Sequence, residues 1–156
     1  MEPNSAAVEG DRVGGARWAW CCGPPRPAAH TRGETLADRL LPVGRGQWAF
    51  FAVVVGAVAL GPNLPRRVGL AVQGAAMLAA SWWCVVNLWR CREAHCAVTG
   101  PGWAVLGVVA LAGAAVGHSV LHGAEAAGFV IVLAAGFCFQ WLWHRRRGTT
   151  ALGRGR

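Results

Sequence analysis

The chain has 156 residues, over half of them apolar, and only 14% charged, well below the roughly 25% of an average soluble domain. It carries a formal charge of +8, all fifteen basic residues being Arg. Those arginines sit in the tails and at the ends of apolar runs, where membrane topology and anionic lipid account for them. The charge therefore does not indicate a nucleic-acid partner, and the composition excludes an ordinary soluble domain.

Residues 1–45 form a polar segment rich in Gly, Pro and Arg, which predicts a largely disordered tail. Within it, Thr31 and Glu34 have capping-box spacing ahead of Leu36, Ala37, Leu40 and Leu41, the pattern of a short interfacial helix. From Gly46 onward, four charge-poor runs follow: 46–64, 68–89, 102–120 and 126–143. About twenty apolar residues cross a ~30 Å hydrocarbon core. The prediction is an all-α membrane protein: a four-transmembrane-helix bundle over 46–144, then a basic tail over 145–156.

Arginine placement sets the expected orientation. With four spans, one side receives Arg39, Arg45, Arg90, Arg92 and Arg145–Arg147, and the other only Arg66 and Arg67. The positive-inside rule puts both termini in the cytoplasm of an inner (plasma) membrane. Trp48, Trp89, Trp103, Trp141 and Trp143 all fall at that same interface, where indole prefers to sit. Span three carries Gly107 and a Gly113-xxx-Gly117 pair, small residues that let helices approach closely in lipid.

The end of span two and the start of span three carry the chemistry: Cys84, Asn87, Arg90, Cys91, Arg92, His95, Cys96, Thr99, Gly100 and Pro101. If span two stays helical to His95, then Cys84, Cys91 and His95 fall within about 20° of one line, with Asn87 about 60° aside. Thr99 suits an N-cap and Pro101 a first helical position. A turn there brings Cys96 back toward the stripe. Thiolate and imidazole suit Zn²⁺, Cu⁺ or Hg²⁺, and Arg90 and Arg92 favour the thiolate form of Cys91. The expected role is binding or passing a soft metal ion through Cys91, His95, Cys96 and Cys84. Two alternatives stand beside it. One is a non-catalytic membrane subunit whose motif pairs helices or docks a membrane or cytosolic partner. The other is a thiol-redox membrane protein.

The run Arg90-Cys91-xxx-His95-Cys96-xx-Thr99-Gly100-Pro101, with Asn87 ahead of it, resembles a motif of small uncharacterised bacterial integral membrane proteins. That resemblance names no activity but implies that these residues act as a unit. Cys21-Cys22-Gly-Pro resembles the vicinal pair of mercury-transport membrane proteins, although there the pair lies inside the first span. The resemblance implies that Cys21 and Cys22 exchange a metal with the Cys91/His95 site.

At the far end of span three, His118 and His122 are spaced i, i+4 and Glu125 follows. On a continuous helix the two imidazoles would share a face, a second possible metal or proton site, although Gly123 and the short connection suggest that the helix is already ending. Gln73, Cys138 and Gln140 read as isolated polar groups that bond between helices. No P-loop, nucleophile elbow, dinucleotide fingerprint or HExxH motif occurs, and no span has a central Asp or Glu.

Overall fold

The four apolar runs fold into four helices in the computed structural model, which describes residues 45–152 apart from the side chains of Arg45, Arg90 and Cys91. They are α1 (Arg45–Leu60), α2 (Arg66–Cys91), α3 (Cys96–Val116) and α4 (Glu125–Arg147), with a 3₁₀ turn over Gly61–Asn63. Each, counting that turn with α1, is long and apolar enough to cross a membrane. The expected disorder of the N-terminal tail, its short helix after Thr31 and the Cys21–Cys22 pair lie outside the described residues.

Local chemistry explains where each helix stops. Pro62 starts the 3₁₀ turn after α1, and Leu64 caps it by donating its N–H to the Gly61 carbonyl at 3.1 Å. Arg92 closes α2 in the left-handed conformation (φ 52°), its N–H on the Leu88 carbonyl. Gly117 and Gly148 close α3 and α4 the same way, and glycine takes positive φ at no steric cost. Three arginines in the last turn of α4 and Glu125 in its first both complement the helix dipole.

The helices run up and down in chain order, and α2 and α3 form the tightest pair. A Cβ added at Gly74 would stand 2.9 Å from the Gly107 carbonyl, and one at Gly107 would stand 3.0 Å from the Gly74 carbonyl. In lipid, no hydrophobic force drives helices together, so backbone approach of this kind supplies the contact. Gly113 and Gly117 also face α2, against Leu70 and Arg67, while Gly113 packs on the His118 carbonyl and Gly117 ends the helix. Helix α4 lies against α3 through Gly136, which abuts Thr99, and through Gly102 and Gly128, which receive Val132 and Leu106.

The core holds Val54, Val58, Met77, Ala80, Cys84, Cys96, Trp103 and Phe129. Trp83 is buried and stacks on Phe50 at 4.7 Å, the packing role its depth suggests. Outward faces carry Val53, Val105, Val108, Val130 and Ile131, all exposed. Trp48, Trp89 and Trp141 are exposed at one end of the bundle. Trp103, expected beside them at the interface, is instead 2% exposed. It stacks on Phe129 and donates its indole N–H to the Phe129 carbonyl at 3.2 Å.

After α4 the chain folds back. Ala94 donates its N–H to the Thr150 carbonyl and Leu152 donates to the Arg92 carbonyl, so that Glu93 and Ala151 form an antiparallel bridge. The Trp143 indole N–H is tied to the Ala151 carbonyl at 3.3 Å. Residues 149–152 thus strap the α2–α3 loop to the end of α4, a contact that the tail's basic composition does not announce.

Candidate functional site: a buried thiol pair

On α2, Ser81, Cys84 and Asn87 recur every three residues and are all buried, so they share one face. That face meets the first turns of α3. Ser81 donates its hydroxyl to the Gly100 carbonyl at 2.7 Å. The Thr99 hydroxyl lies 3.2 Å from Cys84 Sγ and 3.0 Å from the His95 carbonyl. Asn87 donates its amide N–H to Cys96 Sγ at 3.6 Å. Cys84 and Cys96 pack in one buried cluster, the Cys96 side chain beside the Cys84 thiol, and neither is in a disulfide.

This convergence arises differently from the helical stripe expected from the sequence. Helix α2 ends at Cys91, Arg92 turns the chain, and α3 already begins at Cys96. His95 is therefore the N-cap residue of α3 and does not lie on α2. Thr99 and Pro101 lie inside α3 and do not start it; the Thr99 side chain and N–H both bond back to the His95 carbonyl, which holds this first turn. The early turn brings Cys96, placed off the stripe by the sequence, against Cys84. Cys91 closes α2, and its side chain is outside the description.

His95 Nε2 stands 3.4 Å from Cys96 Sγ, and its ring stacks on Phe137 of α4 at 5.4 Å. Burial pushes the imidazole below its ordinary value of 6.5, opposed by the nearby Gln140 amide. Yet neither His95 Nδ1 nor Gln140 Oε1, both closed off from water, meets a partner at hydrogen-bond geometry. The Gln140 N–H is engaged by the Glu93 carboxylate at 3.2 Å. Burial pushes that carboxyl above its ordinary value, opposed by a hydrogen bond from Thr150. The sequence marks Gln140 only as an isolated interhelical polar group and gives no sign of Glu93. Gln140's position in the last apolar run, opposite the His/Cys loop, was the signal available for it.

A cavity of about 690 Å³ opens beside these groups, lined among others by Trp48, Cys84, His95, Trp103, Phe137 and Gln140. Cys138 is exposed on α4, apart from the thiol pair. Among the described residues, no three of His, Cys, Asp and Glu gather closely enough to hold a metal ion. Cys84, Cys96 and His95 meet in a chain of contacts.

The second expected site does not assemble as a histidine pair. Helix α3 stops at Val116, so His118 and His122 share no helical face. Both are exposed, and His122 has φ 55°. What closes this end is Glu125, 3% exposed and tightly hydrogen-bonded by the Ser119 hydroxyl. Gly123 donates its N–H to Ser119 Oγ at 2.8 Å. A smaller cavity of about 240 Å³ lies here, lined by Arg66, Gln73, His122 and Glu125 among others. Gln73 itself donates to the Val58 carbonyl at 3.0 Å, the interhelical bond expected of it. No known protein family, curated protein or solved structure matches this chain.

Proposed function

We propose that this chain is a multi-pass inner-membrane protein, both termini cytoplasmic, with Cys84 and Cys96 forming a dithiol centre at its cytoplasmic end. The observation that carries this reading is the packing of two buried, unbridged cysteines from neighbouring helices in one cluster, with His95 Nε2 at 3.4 Å from one of them. The thiolate is the reactive form. His95 accepts the Cys96 proton, the Asn87 N–H stabilises charge on Cys96, and the Thr99 O–H does so for Cys84 when it turns from the His95 carbonyl. Cys84 thiolate, on the cavity side, attacks a partner disulfide, forming a mixed disulfide and releasing one partner thiol. Cys96 thiolate then attacks Cys84 Sγ, closing the Cys84–Cys96 disulfide and releasing the second. The arginine asymmetry supports the cytoplasmic side.

A second reading uses the same atoms. Two sulfurs and an imidazole nitrogen are a donor set for a soft ion such as Cu⁺, Hg²⁺ or Zn²⁺, to which Cys91, or the Cys21–Cys22 pair, would add ligands. One experiment separates the two. Full-length protein in native membranes is equilibrated over a series of glutathione redox ratios, its alkylatable thiols are counted, and its metal content is measured under reducing conditions. The dithiol reading expects two thiols lost together in wild type, and neither lost in this step in Cys84→Ser or Cys96→Ser. Stoichiometric soft metal, abolished by those substitutions, with no paired thiol loss would favour the ion. If neither occurs, the polar ladder only pairs α2 with α3.

A further inference from the structure

We propose that the 690 Å³ cavity beside the thiol pair binds a quinone, and that this ring, in place of a partner disulfide, takes up the electrons of the Cys84–Cys96 dithiol; the electron-transfer part rests on the dithiol reading above. Its volume lies within the range of small-molecule sites, which typically combine apolar walls with a few placed polar groups. Trp48, Phe51, Trp103, Phe137 and Trp141 supply aromatic walls, surfaces suited to a planar conjugated ring. Trp48 and Trp141 are 67% and 54% exposed, on helices long enough to cross the bilayer. The cavity is thus within reach of a ligand dissolved in lipid.

The polar groups choose among lipid-soluble ligands. Among the described residues, the cavity's titratable lining besides Cys84 is Glu93, His95 and His144, and a phosphate headgroup would face the Glu93 carboxyl. His95 and Gln140 both line the cavity and carry the two buried polar atoms without partners. Leaving such atoms unpaired is costly. An oxygen that both accepts and donates, as the quinone and quinol forms do in turn, satisfies both. It accepts from His95 Nδ1–H as a carbonyl and donates to Gln140 Oε1 as a hydroxyl. Both atoms are closed off from water in this state, so the ring reaches them as Gln140 leaves its bond with Glu93.

The reaction balances. The two S–H bonds of Cys84 and Cys96 break, one S–S bond forms, and the electron pair passes to the ring, which becomes a quinol with two new O–H bonds. Cys84, the thiol that lines the cavity, faces the ring. The imidazole connects the other proton: Nε2 contacts Cys96 Sγ, and Nδ1, joined to it through Cε1, is the other ring nitrogen, with Gln140 near the ring.

The test uses duroquinone, whose fully substituted ring offers no free position for thiol addition. Full-length protein in nanodiscs is titrated anaerobically, following tryptophan quenching for binding and quinone absorbance for reduction. Wild type and Cys138→Ser should bind saturably and reduce one quinone per disulfide formed. Cys96→Ser should bind like wild type and reduce nothing. Gln140→Leu, removing the acceptor of the quinol hydroxyl, should bind reduced duroquinone about fivefold more weakly than wild type. Non-saturable quenching, or binding untouched by both Gln140→Leu and Phe137→Ala, would overturn the site. A parallel sample treated with diamide separates the failures. If diamide closes the Cys84–Cys96 disulfide but bound quinone is not reduced, the quinone step falls and the dithiol reading stands. If diamide closes no such disulfide, the dithiol reading falls and takes the electron transfer with it.

Discussion

At one end of the bundle, Ser119, Gly123 and Glu125 close on one another, and Gln73 ties α2 to α1. At the other, two thiols, an imidazole, an amide and a carboxyl are also buried or half-buried, but the set is incomplete. His95 Nδ1 and Gln140 Oε1 have no partner, and the cavity beside them is nearly three times larger than its counterpart, about 690 against 240 Å³. Buried polar groups in a finished structure are almost always paired. Polarity with its bonds complete terminates a helix hairpin; polarity with bonds left over, next to nucleophilic sulfur and open volume, is where a ligand or a reaction belongs.

Substitutions can break this contrast, beginning with the contact both ends share. Gly107→Val sets a side chain against the Gly74 carbonyl and Leu78. Because a backbone oxygen cannot step aside, α2 and α3 must part, at a cost of ~2–3 kcal/mol. Thermal unfolding in detergent should show the loss, and both ends should fail together.

Glu125→Ala should act on one end alone. It strips Ser119 of its buried partner, costing about 1–3 kcal/mol, while the alkylation rates of Cys84 and Cys96 stay at wild-type values. Glu125→Gln, which keeps an acceptor, should recover most of the stability. A change in thiol reactivity in either variant would mean that the ends are coupled.

The pH dependence should isolate the thiol end. His95 sits below its ordinary value, so the fold prefers it neutral. Its contribution is fully present above pH 6.5 and is lost as pH falls through the lowered value. Glu93 is raised, so its contribution is present below its ordinary 4.5 and is lost as pH rises through the raised value. The two slopes oppose each other between those limits. His95→Phe, able to stack on Phe137, should remove the first and leave stability falling with rising pH across that window. An unchanged profile would show that His95 does not titrate with folding.

The smallest effects belong to the rim. Truncation after Gly148 removes the bonds between residues 150–152 and the α2–α3 loop. These lie near solvent, so the loss should be about 1 kcal/mol, seen as a small fall in Tm. Cys138→Ser, exposed on α4, should stay within about 0.5 kcal/mol of wild type.

The helices were legible because charge-free runs of span length admit few other structures, and the proline and glycine punctuation between them survives in the caps. The membership of the site was partly legible: Cys84, His95 and Cys96 were singled out and do meet. Its geometry was not. The stripe of Cys84, Cys91 and His95 assumed an unbroken α2, and nothing in the residue type of Arg92 announces a left-handed turn, which is uncommon outside glycine. That one residue moves Cys96 against Cys84. Gln140 and Glu93 escaped notice for a related reason. They come together across 47 positions of sequence, a juxtaposition that only helix packing and the folded-back strap create. The His118/His122 pairing failed because Gly117 ends α3 before either histidine.

The central claim, that Cys84 and Cys96 form one chemical unit, is tested most directly by linkage mapping. Full-length protein in native membranes is oxidised mildly with diamide, blocked by alkylation, digested without reduction, and searched for disulfide-linked peptides by mass spectrometry. A Cys84–Cys96 link should dominate, in wild type and in Cys138→Ser alike, and disappear on reduction. Recovery of Cys84 and Cys96 as separately alkylated peptides, or as links to other cysteines, would contradict it.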